Sequence, residues 1–419
     1  MILKNCRFVI TQDSSRKILE NVDLHIEDGK IKSISKPGKK KPGDYIDCSD
    51  KIILPGLTNA HTHIAMTLFR GFEDGLELND WLGKINPIEE KLTPKLISLS
   101  AELGIMEMLS KGVASFVDMC YPFKETYLVS GKYGIRSVLG PGFSDKSFKE
   151  AITFAKSLLK LKSAFFRPSL SHQSIYTCSE KTLLMARDFA RKHNIKLNIH
   201  AAETRKEVLE CYKKNRMFVI EYLDSLGLLD NSILAHCGWI TKGEARIIAE
   251  KSAVVVHNPV SNMKLATGAF FPYTELSLQN VPIALGTDSA ASNNSLGMFD
   301  EMKAMCLLNK NNSWDASLAK AQDALDSATI HGASATGFAN GSIELGKEAD
   351  LAAISAKSLE LMPLRKDSLL GNLVYSFNSY VDFTMIAGKI VFDKAMLPEW
   401  LKRADKISRE LNQFIEKNR

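Results

Sequence analysis

Residues 53–63 read Ile53-Leu54-Pro55-Gly56-Leu57-Thr58-Asn59-Ala60-His61-Thr62-His63. An apolar run leads into two histidines one residue apart, and the run has the composition of a buried strand. In a strand, residues i and i+2 face the same way. The spacing therefore predicts that His61 and His63 turn both imidazoles to one side, near enough to share a metal ion. Two ligands do not complete a site, so the reading depends on what the rest of the chain brings to that strand end.

Downstream of Leu54, short apolar segments alternate with amphipathic ones. Strands are predicted at 114–119, 135–140, 167–171, 196–200, 232–236, 253–257 and 282–287, which with the strand ending at His63 makes eight. Helical stretches cover 94–111, 147–161, 179–193 and 241–251. Ser179 and Thr241 read as N-caps, and Glu244 completes a capping box with Thr241. Eight βα units in roughly 280 residues predict an α/β fold of the (β/α)8 TIM-barrel type, which typically takes about 250 residues before insertions.

Upstream, residues 1–54 are strand-rich. Leu24-His25-Ile26 runs into Asp28-Gly29, a hairpin signal, and Ile31-Lys32-Ser33-Ile34 alternates. Strand texture returns after residue 340, at 349–354 and 385–392, and a charged amphipathic helix follows over 398–417. The expected organisation is a small composite β-sandwich domain from both chain ends (1–54 and 341–397), a metal-dependent hydrolase barrel over 55–340, and a C-terminal helix over 398–419.

Composition narrows the partners. The 419 residues are 45% hydrophobic and 24% charged, with a formal charge of +6, the balance of a soluble globular protein. Lys and Arg are dispersed apart from Lys39-Lys40-Lys41, read as a solvated turn, so neither nucleic acid nor membrane is an expected partner. The seven cysteines are scattered and form no C-x-x-C, which suits free thiols in a reducing compartment. Residues 1–5 carry no signal-like apolar region and no run approaches spanning length, so the expected location is cytoplasmic.

The polar residues fall where a barrel needs them. His200 closes Lys196-Leu197-Asn198-Ile199, His236 closes Ser232-Ile233-Leu234-Ala235, and Asp288 closes Ile283-Ala284-Leu285-Gly286-Thr287. The C-terminal ends of barrel strands converge on one face. Three histidines and an aspartate there suit a divalent ion with a position left for water. Any one of these histidines alone would read as a satisfied core residue. Five such residues at the ends of four strands point instead to a site. The long segment 64–92, between the first strand and the first helix, lies where barrels carry functional loops.

Five motifs carry a resemblance: Pro55-Gly56-Leu57 through His63, His200-Ala201-Ala202-Glu203, His236-Cys237, His257-Asn258-Pro259-Val260-Ser261-Asn262, and Gly286-Thr287-Asp288 through Asn294. Together they resemble the amidohydrolase superfamily over nearly the whole chain. The branch is that of adenosine-type nucleoside deaminases and chlorohydrolases, and the 5'-methylthioadenosine/S-adenosylhomocysteine deaminases look most similar. The resemblance implies one divalent metal ion, zinc or else iron, held by His61, His63, His200 and Asp288. Ser171-His172 stands at the end of the fourth strand, with no lysine there to bridge a second ion. The resemblance further implies that Glu203 passes a proton to the ring nitrogen beside the attacked carbon. His236 would orient the attacking water and Asp288 would take its proton. The chemistry agrees, because attack on an aromatic amidine carbon needs the adjacent nitrogen protonated, and a carboxylic acid supplies that proton.

By the same resemblance Trp81 lines the pocket, Glu89 accepts hydrogen bonds from both ribose hydroxyls, and His172 and Ser292 lie against the nucleoside. From the residues alone, Trp81 reads as readily as core, and Glu89-Glu90 as a solvated helix start. His257 reads as support for the ligands, and His25, His193 and His331 as structural or exposed. The partner implied is a small-molecule nucleoside, bound by a homo-oligomer.

One stretch departs from the pattern. Homologues that use S-adenosylhomocysteine place an arginine at the end of the third strand and a second shortly after, to grip a carboxylate. Here the stretch is Leu139-Gly140-Pro141-Gly142-Phe143-Ser144-Asp145, without arginine. Lys146 and Lys149 are available as point charges only, and Phe143 suggests an apolar wall suited to a methylthio or deoxy 5' group. The main reading is a metal-dependent aminohydrolase that converts a 5'-modified adenosine to the inosine derivative and ammonia. Its candidates are 5'-methylthioadenosine, 5'-deoxyadenosine, adenosine and S-adenosylhomocysteine. A second reading keeps the machinery and takes guanine, another aminopurine or a chloro-triazine. A third, of another class, is a non-catalytic scaffold; retention of every ligand argues against it.

Overall fold

The computed structural model describes residues 1–38, 45–268 and 270–418. The Lys39-Lys40-Lys41 turn lies outside the described residues. The N-terminal part supplies β1 (Ile2–Ile10), β2 (Ile18–Glu27), β3 (Lys30–Ser35), β4 (Tyr45–Asp47) and β5 (Lys51–Pro55). Asp28 and Gly29 join β2 to β3 with φ of 50° and 77°, the backbone that a two-residue hairpin needs.

The next eight strands are β6 (Leu57–Thr62), β7 (Val113–Cys120), β8 (Arg136–Phe143), β9 (Phe166–His172), β10 (Lys196–Ala201), β11 (Ser232–His236), β12 (Val254–His257) and β13 (Ile283–Leu285). They pair in sequence order in one 8-stranded sheet, and every pairing is parallel. A parallel bridge between Thr62 and Asp288 brings β13 back to β6 and closes the barrel. Val138, Ile233, Val254, Val256 and Ala284 pack together with Phe338 in a buried apolar cluster. Glycine is required at 286. A Cβ there would lie 2.6 Å from Asn258 Oδ1 and 2.8 Å from the His61 nitrogen. Regular strand pairing ends at Leu285, three residues short of Asp288.

The expected helices form between the strands, including Pro94–Ser110, Phe148–Leu158, Glu180–His193 and Lys242–Ala249. Ser179 and Thr241 cap the last two, and the Thr241–Glu244 capping box is formed. Segment 64–92 is more structured than a loop. It holds a turn of 3-10 helix, Ile64–Phe69, and an α-helix, Leu78–Glu89. That helix buries Trp81, Ile85 and Ile88 in one cluster with Phe69 and with Ile407 and Leu411 of the C-terminal helix.

After the barrel come β14 (Leu351–Ser355), β15 (Phe383–Ile386) and β16 (Lys389–Asp393). Residues 385–392, read above as one strand, are a hairpin. Ala387 and Gly388 turn the chain with φ of 48° and 74°, and alternation alone does not reveal such a turn when one of its residues is alanine. The chain-end strands form one sheet in the order β16-β15-β14-β5-β1-β2-β3, with β4 on β1. β14 lies antiparallel to β5, so the strand entering the barrel pairs with the first strand after it. Arg136, only 2% exposed, bonds Asp350 at 2.6 and 3.0 Å and Glu348 at 2.9 Å, tying the start of β8 to the residues leading into β14. The chain ends in the helix Leu397–Asn418. Among the described residues no helix is long and apolar enough to cross a membrane, and all seven cysteines are free and buried.

Candidate active site

His61 and His63 reach one point from the end of β6, and His200 reaches it from β10. The His61 and His200 Nε2 atoms are 3.2 Å apart, and those of His63 and His200 are 3.3 Å apart. Asp288 Oδ1 lies 3.7 Å from His61 Nε2 and 3.4 Å from His63 Nε2. His200 Nδ1–H donates to the Gln173 carbonyl at 2.7 Å, which leaves the Nε2 lone pair facing the cluster. His63 bonds the Met119 carbonyl. Burial pushes the His61, His63 and His200 imidazoles down, His200 to about 4, so all three are neutral near pH 7. Neutral nitrogens and a carboxylate converging this closely repel one another unless a cation lies between them. The donor set fits a divalent metal ion with nitrogen and oxygen ligands.

Asp288 is held from all sides. Its backbone has φ of 60°, uncommon for a residue with a Cβ. Oδ2 accepts from Ser261 at 2.6 Å and Ser292 at 3.2 Å, and Oδ1 accepts the Ser289 N–H at 2.8 Å. Burial works to raise its carboxyl, but His63, His236, His61 and the Ser261 hydroxyl outweigh it and hold the group well below the usual carboxylate range.

Glu203 follows β10 and precedes the helix Arg205–Asn215. Burial pushes its carboxyl up to about 7, so a proton is available to give near neutrality. Its Oε1 lies 3.9 Å from His236 Nε2. On the far side of that ring, the amides of Asn262 and Asn258 stand 3.0 and 3.4 Å from Nδ1. With Nδ1 accepting, the His236 proton sits on Nε2 and faces the site.

These groups form one wall of a cavity of about 520 Å³, within the range of small-molecule sites. Trp81, Glu89, Tyr121, Tyr176 and Leu265 line the rest. Burial, with help from Glu90, pushes the Glu89 carboxyl up to about 7, and the Tyr121 phenol donates to it. Among the described residues, no lysine or arginine lines the cavity.

Residues 52–391 match the Amidohydrolase family. The chain belongs to it. It is 38% identical over 392 residues to a 5'-deoxyadenosine deaminase of Methanosphaera stadtmanae, covering 90% of this chain and 92% of that one. An adenosine deaminase from Xanthomonas campestris with bound zinc superposes with a TM-score of 0.90 at 28% identity, covering 98% of each chain. The atrazine chlorohydrolase of Arthrobacter aurescens superposes with a TM-score of 0.89, and its 18% identity shows the shared fold alone.

The amidohydrolase site departs from the sequence reading in three places, at Phe143, His172 and His257. Phe143 does not line the cavity. It is 1% exposed and packs on Phe148 and His172, while Gly142 faces the space. His172 is likewise buried outside the cavity wall, with both ring nitrogens unpartnered. His257 bonds none of the ligand residues; its ring stacks on Phe271 at 3.9 Å. Lys146 and Lys149 are exposed and do not line the space. Trp81, Glu89 and Ser292 do line it.

Several contributors escaped the sequence reading. Gln173 acts through its carbonyl and Tyr121 through its phenol; each stands one residue beyond a barrel strand, the only signal either carried. Asn258, Ser261 and Asn262 stood in a quoted motif without roles. Asp118 Oδ1 accepts from Thr62 at 3.0 Å and from the Ile64 N–H at 2.7 Å, fixing the residues that flank His63.

Proposed function

We propose that this amidohydrolase hydrolytically deaminates a 5'-modified adenosine, with a deoxy or methylthio 5' group, to the inosine derivative and ammonia. The observation that carries the reading is the placement of Glu203, its carboxyl pushed by burial up to about 7, in one cavity with His236 and the four converging candidate ligand side chains. His61, His63, His200 and Asp288 would hold one divalent ion, with zinc favoured by the Xanthomonas relative. When bound, that ion supplies the acidification of a water at neutral pH.

The chain's own residues do the rest. Glu203 gives its proton to the ring nitrogen next to the amino-bearing carbon, which draws electrons from that carbon. His236 Nε2–H donates to the incoming oxygen and holds its line of approach. Asp288 takes the water's proton as the C–O bond forms. Asp288 passes that proton to the amino group, the C–N bond breaks and ammonia leaves, and the new hydroxyl gives its proton back to Glu203 as the carbonyl of the inosine derivative forms. Glu89 and Tyr121, which also line the cavity, suit the ribose hydroxyls, which favours a nucleoside over a free base. With no lysine or arginine among the described lining residues, the cavity suits an uncharged 5' group better than a carboxylate. The seven free thiols support a reducing, cytoplasmic setting. Ammonia release over a panel of adenosine nucleosides, guanine and a chloro-triazine tests the reading. Turnover of 5'-deoxyadenosine supports it, and turnover confined to free bases or triazines overturns it.

A further inference from the structure

The turn that carries Glu203 is held by a residue outside the motifs. β10 ends at Ala201, Ala202 adopts φ of 50°, and Thr204 caps the next helix by accepting the Glu207 N–H at 3.2 Å. Glu207 is the third residue of that helix, where a capping-box glutamate returns to the N–H of the cap. Here it reaches one residue further back. Its Oε2 accepts the N–H of Glu203 at 2.8 Å. Burial pushes its carboxyl up to about 8, against the backbone N–H groups of Glu203, Ala202 and Thr204, which favour the charged form. From the other side, the Trp239 N–H donates to the Ala202 carbonyl at 3.0 Å, tying the turn to the residues just past His236.

Glu207 is only 4% exposed, and its Oε1 has no partner. A cap at a helix start can be supplied at low cost by a solvated side chain, whereas a buried carboxyl group is expensive to maintain. The cost fits what the residue does to its neighbour. A non-glycine residue at positive φ is strained. The bond to the next N–H fixes how the chain leaves that strained residue, and so where the Glu203 side chain points.

We propose that Glu207 is a positioning residue for proton transfer: its side-chain oxygen holds the 202–204 turn so that the Glu203 carboxyl is aimed at His236 and the substrate ring. The proposal rests on the reading of Glu203 as the proton donor. The test is steady-state kinetics on 5'-deoxyadenosine with the metal-loaded enzyme, alongside metal content and thermal midpoint. Glu207→Ala should lower kcat about 10- to 100-fold, the range found for residues that orient catalytic groups, with KM within about threefold and metal content unchanged. Glu207→Gln keeps an oxygen to accept the Glu203 N–H and should return kcat to within about fivefold of the parent. Thr204→Ala removes the cap without touching that bond and should lower the midpoint with kcat retained. If Glu207→Ala does not fold, Glu207→Asp, one methylene short of the Glu203 N–H, should show the kcat loss in a folded protein. A parental kcat in either folded variant overturns the proposal. So does a loss confined to KM or metal content, or a kcat loss in Thr204→Ala equal to that in Glu207→Ala. The parent's own turnover, measured in parallel, tests the underlying reading separately.

Discussion

The backbone N–H of Asp288 donates to the carbonyl of His61 at 3.0 Å, so ligand residues from the two ends of the barrel sheet are bonded main chain to main chain. The bridge that closes the barrel and the cluster that would hold the ion are therefore one feature. A metal bound at this seam should stabilise the fold as well as the chemistry, because any ligand that binds only the native state does so.

Chelation followed by dialysis should accordingly abolish turnover and lower the thermal midpoint by several degrees, and about one zinc per chain should restore both. Elemental analysis with thermal melts reads both effects. Two tightly held ions per chain, or full activity in the metal-free protein, would contradict the four-ligand site.

Glu203→Gln keeps size and hydrogen bonding but has no proton to give at the required atom. Its kcat should fall about 10²- to 10⁴-fold, the usual range for removal of a general acid or base, with metal content unchanged. Parental turnover in this variant would remove Glu203 from the mechanism.

Tyr121→Phe deletes the phenol that donates to Glu89. A hydrogen bond contributes about 0.5–1.5 kcal/mol, so KM for 5'-deoxyadenosine should rise about two- to tenfold while kcat stays within about twofold. An unchanged KM would show that the pair does not read the ribose.

A pH-dependent contribution to stability lies away from the site. Glu102, on the helix Pro94–Ser110, accepts from Arg403 of the C-terminal helix at 2.5 Å, from Lys132 at 2.7 Å and from Tyr133 at 2.8 Å. Burial would raise its carboxyl, but these three partners win and hold it at about 2, below the ordinary 4.5. A depressed folded value stabilises the native state fully above pH 4.5, and the contribution is lost as the pH falls toward 2. Arg403→Ala should therefore cost about 1–2 kcal/mol by urea unfolding at pH 7, and the gap to the parent should narrow between pH 4.5 and pH 3. A gap independent of pH would assign the loss to packing instead.

The candidate ligands were legible because their chemistry and their position coincide. His61, His63, His200 and Asp288 each stand at the end of an apolar run, and in a barrel those ends meet. Gln173 was not legible, because it acts through a carbonyl that every residue has. Phe143 was misread because alternation does not say which side of a barrel strand faces the core: Gly142 took the cavity side and left the phenyl ring packed on Phe148. The helix Leu78–Glu89 was hidden by its neighbours, since its apolar face is completed by Ile407 and Leu411, more than 300 residues away in sequence.

The central claim is that this cavity takes an adenosine with an uncharged 5' group, and the most direct measurement is kcat/KM for 5'-deoxyadenosine, 5'-methylthioadenosine and S-adenosylhomocysteine side by side. No lysine or arginine among the described residues lines the space to replace the water around a carboxylate. Each missing charge-assisted hydrogen bond costs about 1.5–3 kcal/mol, or roughly 10- to 150-fold. The first two nucleosides should exceed S-adenosylhomocysteine by at least about tenfold; a value for S-adenosylhomocysteine equal to or above theirs would contradict the account.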